Sequence, residues 1–75
     1  MNQQDDLVFA YRQAFDDLSL ALKRAPTEQI NLLASVDALY AAMDDANTVL
    51  SEQQVLDGQI MIRHAESILT RYFGM

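Results

Sequence analysis

Few side chains in this sequence could do chemistry, and helical spacing leaves each of them without a second group to work with. His64 is the only histidine, in the stretch QVLDGQIMIRHAES from Gln54 to Ser67. A metal site built on one helix needs a second ligand three or four residues away. Those positions hold Ile60, Met61, Ser67 and Ile68, and none binds metal well. Glu66 is two residues away and points to another side. A catalytic histidine needs a positioned partner, and none stands on this segment. Phosphotransfer is the other chemistry open to His64. Ala65, Glu66 and Ser67 occupy the places where a basic residue and a glycine commonly follow such a histidine. The expectation is a histidine on the flank of a packed face, about 100° from its centre, with no catalytic or metal role.

The acids come in adjacent pairs, Asp5-Asp6, Asp16-Asp17 and Asp44-Asp45. Neighbours on a helix diverge by about 100°, which makes them poor paired carboxylates for acid–base work. The D-x-D-x-D-G loop that holds calcium is absent. Solvated surface, helix caps and a docking face for a basic partner are the roles these acids fit. Ser35-Val36-Asp37 faintly resembles the Asp-Ser-Leu motif of acyl carrier proteins, which are also small, acidic and helical. That resemblance implies a phosphopantetheine arm on Ser35. Ala34 stands where the family has aspartate, and Ser35 falls inside a predicted helix rather than at its start, so the motif lacks its structural context. Phosphate-binding, dinucleotide and nucleophile-elbow signatures are missing as well. No enzyme activity, cofactor or metal is expected.

Composition narrows the elements that could position such residues. The chain has 75 residues, 2 glycines, 1 proline and no cysteine. That means one domain, no disulfide framework and too few turn residues for a many-stranded β fold. A hydrophobic fraction of 51% is too high for intrinsic disorder. Eleven acids against five bases, a formal net charge of −6, disfavour direct binding to nucleic acid or to an anionic membrane surface. No apolar run is long enough to span a bilayer. The start MNQQDD is acidic where a signal peptide is basic, so a cytoplasmic location is expected.

Three helices are predicted, at about 5–24, 28–44 and 52–73. In the first, Leu7, Tyr11, Ala14, Leu18, Ala21 and Ala25 recur at steps of four and three, flanked by Val8, Phe15 and Leu22. Ala25-Pro26-Thr27 breaks the chain, with Thr27 as the next cap and Glu28 in the first turn. The second stripe is Leu32, Val36, Leu39, Met43 and Ala46, with Leu33 and Tyr40 alongside. Asp44 and Asp45 oppose the dipole of a helix C-terminus and are assigned to a turn or to a cap of the next helix. Ser51-Glu52-Gln53-Gln54 reads as a capping box, with Leu50 and Val55 as its hydrophobic staple. The third stripe is Val55, Gly58, Met61, Ile62, Ala65, Ile68, Leu69 and Tyr72, and Gly74 is a stop. Gly58 costs about 1 kcal/mol in mid-helix relative to alanine. Its place on the stripe, seven residues before Ala65, points to a close approach by another helix.

The predicted fold is therefore all-α, a small antiparallel three-helix bundle. A helical hairpin with a long second arm is the alternative, should residues 44–50 form a kink. Leu56 and Ile60, one turn apart, lie opposite the third stripe. Phe9 and Leu20 share one azimuth off the first stripe. Paired apolar residues outside a full core mark partner surfaces. These four are the predicted partner-binding residues, and a homodimer or a chain that completes its core on a partner is expected. The functional expectation is a non-enzymatic protein–protein interaction module: an adaptor, inhibitor or chaperone-like subunit. It is similar in size and charge to small acidic export chaperones of bacterial secretion systems and to small phage regulators. The alternatives are a carrier or phosphotransfer protein using Ser35 or His64, and an acidic mimic that blocks a nucleic-acid-binding protein.

Overall fold

Three amphipathic stripes on so short a chain can be buried only against one another, and the arrangement reflects that. The computed structural model describes residues 3–24 and 29–74. All regular structure among the described residues is helical: α1 (Gln3–Arg24), α2 (Gln29–Asp45) and α3 (Glu52–Phe73). Ala25, Pro26, Thr27 and Glu28, read from the sequence as the first break and cap, lie outside the described residues. In α1, Asp5 and Asp6 fall in the first turn and Lys23 and Arg24 in the last, each sign where the helix dipole favours it.

α3 has the most completely built ends. Ser51 is extended, at φ −72 and ψ 162, and its Oγ accepts from the Gln54 N–H at 3.1 Å. The Gln54 side chain answers by accepting from the Ser51 N–H at 2.9 Å. Together they satisfy two donors that a helix start leaves open. At the other end Gly74 turns left-handed, φ 69, and its N–H donates to the Thr70 carbonyl at 3.2 Å. A side chain there would be strained, which is why the helix stops at a glycine.

The core is one cluster: Tyr11, Ala14, Leu18 and Ala21 from α1, Leu32, Val36 and Leu39 from α2, Ile62, Ala65 and Leu69 from α3. Leu18, Leu32 and Leu39 are sealed from solvent. Phe15, Leu22, Leu33, Met43, Met61 and Ile68 pack around them, half-buried. α1 packs most extensively on α2, α2 less on α3, and α1 least on α3. The result is a long, thin bundle of 40 × 21 × 16 Å. Its radius of gyration is 12.6 Å, against about 11 Å for a compact chain of this length.

The structure departs from the sequence reading in four places. The α2–α3 connection is a turn over residues 46–50, not a kink, so the hairpin alternative does not hold. Ala46, fully buried, anchors this turn, and its carbonyl accepts from the Val49 and Leu50 N–H groups at 2.9 and 3.0 Å. Asp44 and Asp45 are the last exposed residues of α2 rather than part of the turn. Solvent screens them from the unfavourable dipole, while the buried stripe continues past them to Ala46. Tyr72 is 56% exposed, because a straight helix drifts about 20° per heptad. The packed line in α3 steps from the buried Ile62, Ala65 and Leu69 to the half-buried Phe73, not to Tyr72. Tyr40 is 51% exposed. It sits one residue, about 100°, past the sealed Leu39, on the rim of the groove between α2 and α3.

Candidate functional site

Gln54 ties the start of α3 to α1. Its side chain and N–H close the capping box, and its carbonyl accepts the Tyr11 hydroxyl of α1 at 2.6 Å. Tyr11 is 4% exposed, and a buried phenol needs such an acceptor. The Phe15 ring lies with its centroid 6.0 Å from that of Tyr11, tilted by 46°. One turn after Gln54 comes Gly58. A β-carbon there would fall 2.6 Å from the Met43 Sδ of α2 and 3.3 Å from the Tyr11 hydroxyl. The glycine thus makes room for side chains from both neighbouring helices.

Next to this junction lies a shallow hollow of about 210 Å³, lined by Tyr11, Arg12, Phe15, Asp16, Gln54 and Asp57. Burial, and secondarily the nearby Asp57 charge, raises the Tyr11 pKa above its usual value near 10. The hydroxyl therefore keeps its proton and serves as a donor, the opposite of what a nucleophile requires. Asp57 accepts from the Gln53 side chain at 2.8 Å. The hollow is a packing seam at the α1–α3 contact.

His64 is exposed on α3. Among the described residues no group of three or more His, Cys, Asp or Glu side chains converges as a metal site. Ser35 is half-buried in mid-α2, in a groove shared with Leu20, Ala21 and Ala38, and does not open a helix. The pairs Asp5-Asp6, Asp16-Asp17 and Asp44-Asp45 are exposed on two helices and are not gathered into one site. The four residues singled out as apolar leftovers are Phe9, 67% exposed, Leu20, 48%, Leu56, 49%, and Ile60, 56%. Leu56 and Ile60 are neighbours on the outer side of α3, opposite the buried Gly58, Ile62 and Ala65. Phe9 and Leu20 share one azimuth of α1, separated by about 16 Å along its axis, and Leu20 also borders the α1–α2 groove that holds Ser35.

Sequence reasoning missed the Tyr11–Gln54 bond and the seating of Met43 on Gly58. A tyrosine on a core stripe signals that its hydroxyl needs an acceptor, but not which one. Likewise a glycine on such a stripe signals an approach, but not by which side chain. The chain matches no protein-family model, no curated protein and no solved structure. Among the described residues no helix is long and apolar enough to cross a membrane.

Proposed function

We propose that this chain is a non-enzymatic protein–protein interaction module, an acidic antiparallel three-helix bundle that docks other chains through its helix faces. It acts as an adaptor, inhibitor or chaperone-like subunit in the cytoplasm, in self-associated form or on a partner. One observation carries the reading. Leu56 and Ile60 stand exposed one turn apart, on the side of α3 opposite its buried residues. Apolar anchors ringed by charge are the usual core of a helix-face interface. The open, shallow hollows of the surface support a docking role more than a substrate-binding one.

The test pairs solution mass with mutation. Changing Leu56→Asp and Ile60→Asp together leaves the helical circular-dichroism signal intact and removes association, with itself or with a captured chain. If the double variant unfolds, these side chains belong to the core and the reading fails. An intact-mass spectrum showing a phosphopantetheine or phosphoryl adduct on Ser35 or His64 also overturns it.

A further inference from the structure

Charge is divided unevenly along the bundle. Tyr11 of α1, Met43 of α2 and Gly58 of α3 meet at one level. The part of α1 from Asp17 to Arg24 shares a groove with the part of α2 from Asn31 to Ala38, so the start of α1 lies beside the α2–α3 turn. That end of the bundle, residues 3–10 and 44–57, carries Asp5, Asp6, Asp44, Asp45, Glu52 and Asp57, all exposed, and no Lys, Arg or His. The five bases of the chain all lie past the Tyr11–Met43–Gly58 level, interspersed with Asp16, Asp17, Asp37 and Glu66. Two of them border the acidic end. Arg12 shares the α1–α3 hollow with Asp16 and Asp57, and Arg63 shares the α2–α3 groove with Asp44 and Glu66. The formal charge of −6 is therefore concentrated at one end of a molecule 40 Å long. Asp44 and Asp45 stand there although the α2 dipole disfavours acids at its C-terminus, so folding does not benefit from their charge.

The same end holds an open hollow of about 460 Å³, walled by Leu50, Val55 and Leu56 with Asn47, Glu52 and Gln59. Leu56 is exposed, and Leu50 and Val55 are half-buried. Asn47 and Gln59 line the α2–α3 groove too, which sets Asp44 next to the hollow. We infer that this end receives a basic amphipathic segment of a different protein. An apolar side chain of that segment enters the hollow against Leu50, Val55 and Leu56, and its flanking Lys or Arg side chains face Glu52, Asp44 and Asp45. Resting on the interaction-module reading, the inference names the site and the chemistry of its partner. Apolar contact supplies the anchor, and the concentrated negative charge steers and selects. A second copy of this chain does not meet that need: its like end repels, and its other end carries five bases against four acids among the described residues.

The probe is a short, labelled amphipathic helical peptide of leucine and lysine, with binding to the full chain read by fluorescence anisotropy. Wild type binds it, and binding weakens as salt rises. A counterpart with glutamate for lysine does not bind, and one with alanine for leucine binds at least about tenfold more weakly. Asp44→Lys with Asp45→Lys places bases where the α2 dipole favours them, so the helical signal holds while affinity falls at least about tenfold. Leu56→Asp lowers it similarly. Asp17→Lys with Asp37→Lys changes net charge equally at exposed positions outside the acidic end, and leaves affinity within about threefold. If the lysine variant loses helicity, Asp44→Asn with Asp45→Asn gives the same ordering. No binding, equal loss in both charge variants, or no loss for the alanine peptide overturns the inference. Failure of the peptide to bind, while Leu56→Asp with Ile60→Asp still abolishes self-association, overturns it yet leaves the interaction-module reading in place.

Discussion

Ile60 and Ile62 are the same side chain two positions apart on one helix. Ile60 is 56% exposed and Ile62 is 3% exposed. Two steps along a helix turn the side chain by about 200°, so hydropathy alone says nothing about which is inside. Gly58, the smallest residue of α3, is buried with Ile62, while Leu56 faces solvent with Ile60. The inner side of α3 takes whatever size its neighbours leave. The outer side carries large apolar groups exposed to solvent. Hydrophobic residues make up 51% of the chain, and among the described residues six large ones stand exposed, Leu56 and Ile60 one turn apart on the outer side of α3.

The contrast can be broken or sharpened by substitution. The largest effect is expected at Ile62→Ala, which empties a buried site and costs about 2–5 kcal/mol. Urea unfolding followed by circular dichroism measures it, and a cost under about 1 kcal/mol would mean the inner side is loosely packed. Gly58→Val forces Met43 and the Tyr11 hydroxyl out of their seats and costs about 1–3 kcal/mol. Gly58→Ala is milder, because the end of the Met43 side chain can swing aside and alanine favours the helix. A valine variant as stable as wild type would show that Gly58 does not set the spacing.

Tyr11→Phe removes the bond to Gln54 and costs about 0.5–1.5 kcal/mol. It also changes the response to alkali. The native state holds the Tyr11 proton more tightly than the unfolded chain does, since its pKa is raised. The associated stability is therefore complete below about pH 10 and is lost as pH climbs through the raised value. Wild type should lose stability above that point more steeply than the phenylalanine variant, as thermal melts at stepped alkaline pH would reveal. Ile60→Ala comes last, shifting monomer stability by no more than about 0.5 kcal/mol. A shift comparable to that of Ile62→Ala would erase the distinction between the two sides.

The features legible in one sequence rest on local rules. The Ser51–Gln54 box depends on four consecutive residues, and the stripes through Leu18, Leu39 and Ala65 depend on helical period alone. Tyr72 departs from its expected place because a strict alternation of three and four is the period of a supercoiled helix, and α3 keeps closer to the straight one. Asp44 and Asp45 depart from theirs because a local electrostatic preference of a fraction of a kcal/mol gives way to burial of Ala46. The Tyr11–Gln54 and Met43–Gly58 contacts depend on how the helices dock, which no local pattern encodes. Of the candidate site, the apolar leftovers are legible as a surplus.

The hydroxyl of Tyr11 reaches a carbonyl 43 residues further along the chain. Helices can form and neighbouring ones can meet while the loops between them stay short, and such local steps are fast. This bond instead closes more than half of the polypeptide into a ring, so it completes only once α1 and α3 have come together. With no tryptophan in the chain, and with Tyr40 and Tyr72 both half-open to solvent, the burial of the Tyr11 ring is an optical marker of that closing step. Its appearance in time separates a pile of helices from the finished bundle.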